Sequence, residues 1–599
     1  MCGFFGVYGR SRGSYSEDKL VTALGTLKHR GPDKTHIWSN ENLFLGHHRL
    51  IVEGGPESGK QPIVDGDRAL AYNGEIYDFD VHTSTTSYSE KKSDSDKLFD
   101  LLSKYDVGDV LPKITGMFAF AYADIKKGQL LLVRDRLGEK PLFYSIQRGN
   151  IIFASEPKAI LDLVPHSKKL DINSLRETLL FGRQYAGRSM YSDIKELRPG
   201  SLLTFDLHSG QYVLQQYWSP SSLNYLKFKC RQDFLNNFSE TFSRVVGQVC
   251  SSDSRLGFYA SGGMDSNSLL SEYSILQRES NSRSNFEIFF SDGYDPEYSE
   301  KKLLLENIKF IKAKSNINHS VSVSILNQET YLKNFRTLSY YFDEPIMFHL
   351  SCQLNSLAEL ARLQGIKVLV AGEGADEILY GYERFFRSRE IAKKIENTEL
   401  VDLLALGGGK CDAPLIMKML KTDEDDFDFY RESDVWKMAE SLIVEHGFDK
   451  AQLLFSQQFR LLGLTRRIDA TTSAAGIESR CPFLDRRLVE LCNSVDPQWL
   501  YDNDEKKSKV PLRTAMADKV CSSILIGKKM GSTSDVIQWL RSDQLFLDVI
   551  GAQILKSEPL IDLLDMNYVK KILSDHRVQN ADYSALIFKL FSLAEWLKH

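Results

Sequence analysis

The chain has 599 residues, more than one hydrophobic core of about 250–300 residues can serve, so at least two domains are expected. Its composition, 42% hydrophobic and 26% charged with 16 Pro and 39 Gly, excludes collagen-like and disordered classes, and a formal net charge of −5 argues against a nucleic-acid binder built on a basic surface. No apolar run approaches the ~18–20 residues of a membrane span. No signal peptide is expected at the start, and eight cysteines without a CxxC pair point to free thiols in a reducing cytoplasm and not to zinc or disulfides.

Residues 1–215 read as strand-rich. Apolar or alternating runs recur at Gly3–Tyr8, Leu43–His48, Ala69–Tyr72, Met117–Tyr122, Leu130–Val133, Ile151–Ala154 and Ser201–Phe205, separated by turns such as Asp65-Gly66-Asp67 and Arg148-Gly149-Asn150. Helices are expected over Glu17–His29 and about Ser95–Ser103, and the polar stretch Ser84–Ser95 reads as a solvated loop. A linker is expected over 216–230, around Tyr217–Phe228. Phe234, Phe238, Phe242, Val245 and Val249 then mark a helix stripe. Strands at Leu256–Ala260, Glu287–Phe290 and Lys367–Ala371 alternate with helical patterns, which predicts a parallel sheet with crossovers. From about Asp425 onward helical patterns dominate.

Cys2 follows Met1. Removal of Met1 would leave a cysteine with a free α-amine, whose reference pKa of about 7.7–8 leaves it partly unprotonated near neutrality. One residue then supplies both nucleophile and base; the bland reading is a cysteine without a role. The runs His29-Arg30-Gly31-Pro32-Asp33, His47-His48-Arg49-Leu50, Asn73-Gly74-Glu75-Ile76-Tyr77 and Ser93-Asp94 follow in order. Gly116-Met117-Phe118-Ala119-Phe120, Arg134-Asp135-Arg136-Leu137-Gly138 and Ser155-Glu156 come after them. With Met1-Cys2-Gly3 the set resembles the class II glutamine amidotransferases, whose glutaminase domain has the N-terminal nucleophile hydrolase fold. The resemblance implies that Cys2 attacks the glutamine amide and that Asn73 and Gly74 stabilise the oxyanion. It also implies that Arg49 pairs with the α-carboxylate and Asp94 with the α-ammonium, and that Asn73 and Glu75 belong to the glutamine-binding set. Asp96 stands where that family has a glutamate, and a supporting role is expected of it.

Ser261-Gly262-Gly263-Met264-Asp265-Ser266 follows a strand and precedes a helix. It lacks the Gly-Lys-Ser/Thr of a Walker A loop, but small residues and a helix N-terminus suit an anion. It resembles the pyrophosphate loop of ATP pyrophosphatases, and its partnership with a class II glutaminase selects the asparagine synthetase family. Four further segments are similar to that family: Gly372-Glu373-Gly374-Ala375-Asp376-Glu377 with Tyr380-Gly381-Tyr382, Gly476–Asp485, Lys509-Val510-Pro511-Leu512-Arg513, and Gly527–Gly531.

The resemblance implies ATP bound by Ser261, Gly262, Gly263, Asp265, Ser266 and Gly372, with Mg²⁺ on Asp265 and Asp376. Lys509 would neutralise charge on the α-phosphate and departing pyrophosphate, and Glu373 would take a proton from attacking ammonia. Expected, then, is an α/β protein in two parts. An N-terminal nucleophile hydrolase-type layered sandwich (1–215) hydrolyses glutamine. A parallel-sheet α/β ATP pyrophosphatase domain with a helical C-terminal part (231–599) joins the ammonia to a carboxylate, and ammonia passes internally between them. Glutamine, ATP and a carboxylate acceptor are the expected partners, with no nucleic acid and no membrane, and a homodimer is among the expected assemblies.

Aspartate is the default acceptor. A uronic acid sugar, a natural-product acid, a ring closure like that of the β-lactam synthetases and a catalytically silent regulatory relative are the alternatives. Asp343–Ser351 lies where the family builds part of its acceptor pocket. Where one branch reads Thr-Thr-Ile-Arg, this chain has Ile346, Met347, Phe348 and His349. The missing arginine weighs against aspartate, while His349 is placed to replace part of the charge.

Overall fold

The computed structural model describes residues 1–9, 15–55, 58–80, 93–161, 163–164, 168–221, 226–280, 286–293, 299–315, 319–395, 398–406, 413–420, 431–527 and 535–599. Most of the Ser84–Ser95 loop and the core of the Gly527–Gly531 motif lie outside the described residues.

The first part contains β1 (Cys2–Tyr8), β2 (Lys34–Ser39), β3 (Leu43–Arg49), β4 (Ile63–Asp65), β5 (Arg68–Phe79), β6 (Ile114–Asp124), β7 (Gln129–Arg134), β8 (Phe143–Gln147), β9 (Asn150–Ala154), β10 (Lys195–Glu196), β11 (Ser201–Asp206) and β12 (Tyr212–Gln216). They form two six-stranded sheets, ordered β10-β8-β9-β1-β3-β2 and β12-β11-β7-β6-β5-β4. The sandwich follows from a period of two with apolar residues on both faces. Along β6, Ala119, Ala121 and Ala123 join Phe4, Leu45 and Leu132 between the sheets, while Phe118, Phe120 and Tyr122 turn outward. Small residues between the sheets let them approach, and the bulky outer residues meet helices. Helix α1 (Glu17–Gly25) covers the outer face of the first sheet through Leu20, Ala23 and Leu24. Helix α2 (Asp94–Lys104) covers that of the second through Leu98, Phe99 and Leu102. Helix α1 stops before the predicted His29: Lys28–Arg30 is a separate 3₁₀ turn, which aims Arg30 inward.

The second part is built on β13 (Leu256–Ala260), β14 (Glu287–Ser291), β15 (Ser320–Ser324), β16 (Val368–Val370) and β17 (Glu478–Arg480), all parallel, in the order β15-β14-β13-β16-β17. Helix α3 (Arg231–Val249) buries the predicted stripe of Phe234, Phe238, Phe242, Val245 and Val249. Helix α4 (Met264–Glu279) follows β13, and α5 (Leu461–Ser473) is buried along nearly its whole length. The strand order reverses between β13 and β16. Ligands of open α/β sheets bind at the carboxyl ends of strands flanking such a switch. The Ser261–Ser266 loop leaves β13 and the Gly372–Asp376 loop leaves β16, so topology alone brings the two motifs together. Met1, Leu50, Val52 and Leu137 belong to the same apolar core as this sheet, so the two parts share buried surface.

Candidate functional sites

Cys2 begins β1 opposite Arg49 on β3. Across the sandwich, Asn73 on β5 reaches it: the Cys2 backbone N–H donates to Asn73 Oδ1 at 2.8 Å. This leaves Asn73 Nδ2 buried with no acceptor among the described residues. Gly74 lies on the close-packed β5–β6 ladder, where a Cβ would overlap the Met117 carbonyl. Arg49 Nη2 reaches the Gly55 carbonyl at 3.3 Å, but Nη1 is buried without a partner. Buried donors left unpaired are costly, and the two beside Cys2 are free to meet an oxygen of a ligand or of water. Asp94 opens α2 and accepts from Tyr72 Oη at 2.6 Å and the Ile76 N–H at 3.1 Å. Asp96 closes a capping box with Ser93, accepting from Ser93 N at 3.2 Å, which is the supporting role expected of it.

The site is dense in carboxylates. Burial pushes Glu75 well above the usual range, with Asp94 adding to the shift, and burial likewise raises Asp94 and Glu53. Burial alone would raise Glu478 too, but the Met1 ammonium at 2.6 Å and Arg480 hold it at about 2. Burial raises the Cys2 thiol. Glu478 and Arg480 lie within the Gly476–Asp485 segment, where sequence alone assigns them no role. They come from β17 of the second part, as does the contact of Arg480 Nη2 with Glu75 Oε2 at 3.4 Å. A second crossing joins Arg30 to Asp469 on α5 through two bonds of 3.0 and 2.9 Å, while Arg30 Nε donates to the Cys2 carbonyl at 3.1 Å.

At the sheet switch, Lys509 Nζ lies 2.6 Å from Asp265 Oδ1 and 2.7 Å from Asp376 Oδ1. Burial alone would lower the Lys509 pKa, but Asp265 and Asp376 hold it above its ordinary value. Two carboxylates converging on one cation are the donor set that Mg²⁺ uses with phosphate oxygens, so these residues fit that ion. Gly372 lies against Asp265, with an ideal Cβ 3.2 Å from its Cβ. Gly381 leaves the room these side chains use: a Cβ there would overlap Asp376 Oδ1 and Lys509 Cε. In the glycine loop, Ser261 N and Gly263 N donate to Ser266 Oγ (3.1 Å) and Ser261 Oγ (3.0 Å), and Gly262 N donates to Glu300 Oε2 at 2.8 Å. A carboxylate thus already sits on an anion-seeking N–H. Glu373 precedes the N-cap Gly374 of Ala375–Ile378 and pairs with Arg467 at 2.6 Å.

The stretch Ile346–His349 departs from expectation. Ile346 is buried in the second apolar core, and Phe348 lies under the Arg467 guanidinium, 5.3 Å from ring centre to Cζ. Burial lowers His349 to about 4, so it is neutral near pH 7 and does not replace the missing arginine's charge. The cation beside this stretch is Arg467, from α5. Among the described residues no helix is long and apolar enough to cross a membrane, and the described cysteines are free thiols.

A two-sheet sandwich carrying Cys2 on its first strand and a parallel sheet with glycine loops at its switch point are the fold of a two-part amidotransferase. Residues 1–218 match the family described as glutamine amidotransferase domain, and residues 237–598 match asparagine synthase. The chain belongs to the asparagine synthase family and is an enzyme of its glutamine-hydrolysing type. It is 26% identical to asparagine synthetase [glutamine-hydrolyzing] 3 of Bacillus subtilis, over 94% of this chain and 93% of that protein. It is 23% identical to asparagine synthetase [glutamine-hydrolyzing] 1 of the same organism, over 100% and 96%. It is also 24% identical to amidase chry2 of Gibberella zeae, over 85% and 83%.

Proposed function

We propose that the chain hydrolyses glutamine in residues 1–215 and, across a linker at 216–230, uses ATP in residues 231–599 to amidate a carboxylate, by default aspartate to asparagine. The observation that carries the reading is the pair of buried, unpartnered donors beside Cys2, Asn73 Nδ2 and Arg49 Nη1. Cys2, exposed by removal of Met1, attacks the glutamine amide, with its α-amine as base. Asn73 Nδ2 and the Gly74 N–H take the oxyanion. Arg49 binds the α-carboxylate, and Asp94 with Glu75 binds the α-ammonium.

In the second site, Ser261, Gly262, Gly263, Ser266 and Gly372 cradle ATP, and Gly262 exchanges Glu300 for a phosphate oxygen. Asp265 and Asp376 would hold Mg²⁺, which when bound neutralises charge on the phosphate oxygens. The acceptor carboxylate attacks the α-phosphorus, the bond to the bridging oxygen breaks, and pyrophosphate leaves while Lys509 offsets its charge. Ammonia then attacks the acyl-adenylate, Glu373 takes the proton, and AMP departs.

Amidation of a different acid, such as a uronic acid sugar or a natural-product carboxylate, is the second reading. It is supported by the neutral, half-buried His349 and the apolar Ile346 and Phe348 where an arginine would suit an amino acid, and by a relative named an amidase. The test is pyrophosphate release with millimolar aspartate, beside uronic acids and other carboxylates. Release with aspartate, with AMP as the nucleotide product, supports the default. No release with aspartate, together with release from another acid, replaces it, and stoichiometric ADP would reject the adenylation chemistry altogether.

A further inference from the structure

Three residues make up β17, and alternate side chains of a strand share a face. Glu478 and Arg480 therefore point the same way, into the glutaminase half. Arg480 is fully buried. Its Nε donates to Glu478 Oε1 at 2.9 Å, and its Nη1 donates to the carbonyls of Val249 (3.1 Å) and Ser251 (2.6 Å). Its Nη2 lies 3.4 Å from Glu75 Oε2 and 3.5 Å from Glu53 Oε1, and its plane lies over the Tyr77 ring. The main chain is fixed as firmly: Arg480 sits opposite Val370 in the sheet, and its carbonyl accepts the Ala371 N–H at 2.9 Å. The guanidinium thus has no freedom to wander, and it is aimed at a carboxylate of the Asn73-Gly74-Glu75 run.

A buried carboxylate without a nearby cation takes up a proton in preference to keeping its charge. Glu75 faces Asp94, Glu53 and Glu478, all of which oppose its ionisation, and Arg480 favours it. We propose that Arg480, supplied by the synthetase half, is a positioning residue of the glutaminase. It fixes the Glu75 carboxyl group through the Nη2–Oε2 contact and orients it toward the ammonium of bound glutamine, so the glutamine pocket is complete only with the second domain in place. The inference rests on the reading of Glu75 and Asp94 as glutamine ligands.

The test uses the full chain with Arg480→Gln, Glu75→Gln and the double variant. Each single change is expected to raise the KM for glutamine by about tenfold or more, with little change in glutaminase kcat. AMP formation driven by ammonium salts should persist in Arg480→Gln. The double variant should be no worse than the worse single, because both act through one contact. An unchanged KM in Arg480→Gln, additive effects in the double variant, or parallel loss of the ammonia-driven reaction would each overturn the proposal. An unchanged KM in Glu75→Gln would instead remove Glu75 as a glutamine ligand, and the proposal with it. Should Arg480→Gln fail to fold, Arg480→Lys keeps a buried cation without the forked donors and carries the same expectations.

Discussion

At the scale of single residues, the two sites are marked in opposite ways. Around Cys2, donors are left without acceptors: Asn73 Nδ2 and Arg49 Nη1 are buried and unpaired, a cost that a bound glutamine would remove. At the sheet switch the charged groups already have partners, with one cation, Lys509, clamped between two carboxylates, Asp265 and Asp376. That clamp needs backbone where a side chain would stand, which is the role of Gly381. Gly381→Ala should displace Asp376 or Lys509. The expected outcome is a fall of about a hundredfold in acid-dependent pyrophosphate release, with glutamine hydrolysis unaffected. Unimpaired release in the folded variant would show that the clamp tolerates the methyl group and that its geometry is not critical.

At the scale of elements, α2 presents Asp94 at its first turn, and the capping box of Ser93 and Asp96 fixes where that turn begins. Asp96→Ala should cost about 1 kcal/mol of stability and raise the KM for glutamine, while Asp96→Glu restores both; thermal melts and glutaminase assays check this. An unchanged KM would separate the cap from ligand placement. The elements legible in the sequence were those whose own side chains announce them. The strands at Gly3–Tyr8 and Leu256–Ala260 and the Phe234–Val249 stripe were found because apolar periodicity is local. β17 reads Glu-Ser-Arg and has no apolar signal; it is a strand because Val368–Val370 pairs with it and because Arg480 finds buried partners in Glu478 and, in the other half, Glu75. β2, Lys34–Ser39, is a half-exposed edge strand that opens on polar residues, and exposed β12 carries only the short apolar run Tyr212–Leu214 before two glutamines. For the same reason the motif residues Cys2, Asn73, Asp265 and Asp376 could be singled out from sequence, whereas the pairings Arg30–Asp469 and Glu478–Met1 join residues more than 400 positions apart.

At the scale of the whole molecule, buried ions sew the halves together. Glu156 takes Arg30 at 2.7 Å and Lys158 at 2.6 Å; Arg30 continues to Asp469, and Lys158 to Asp343 at 3.0 Å. Burial alone would raise Glu156, but His29, Lys158 and Arg30 hold it well below its ordinary 4.5. A carboxyl depressed in the folded state stabilises fully above its unfolded pKa and loses that contribution as pH falls through the folded value. Wild type should therefore exceed Glu156→Gln in stability at neutral pH, with the difference shrinking as pH drops below 4.5; denaturant melts at several pH values check it, and a pH-independent difference would contradict it. The central claim is that two separate chemistries share this one frame, and Cys2→Ala tests it most directly. Amide formation driven by glutamine should vanish while AMP formation driven by ammonium salts and the acceptor acid continues. Loss of both reactions in a folded variant, or persistence of glutamine hydrolysis, would contradict the account.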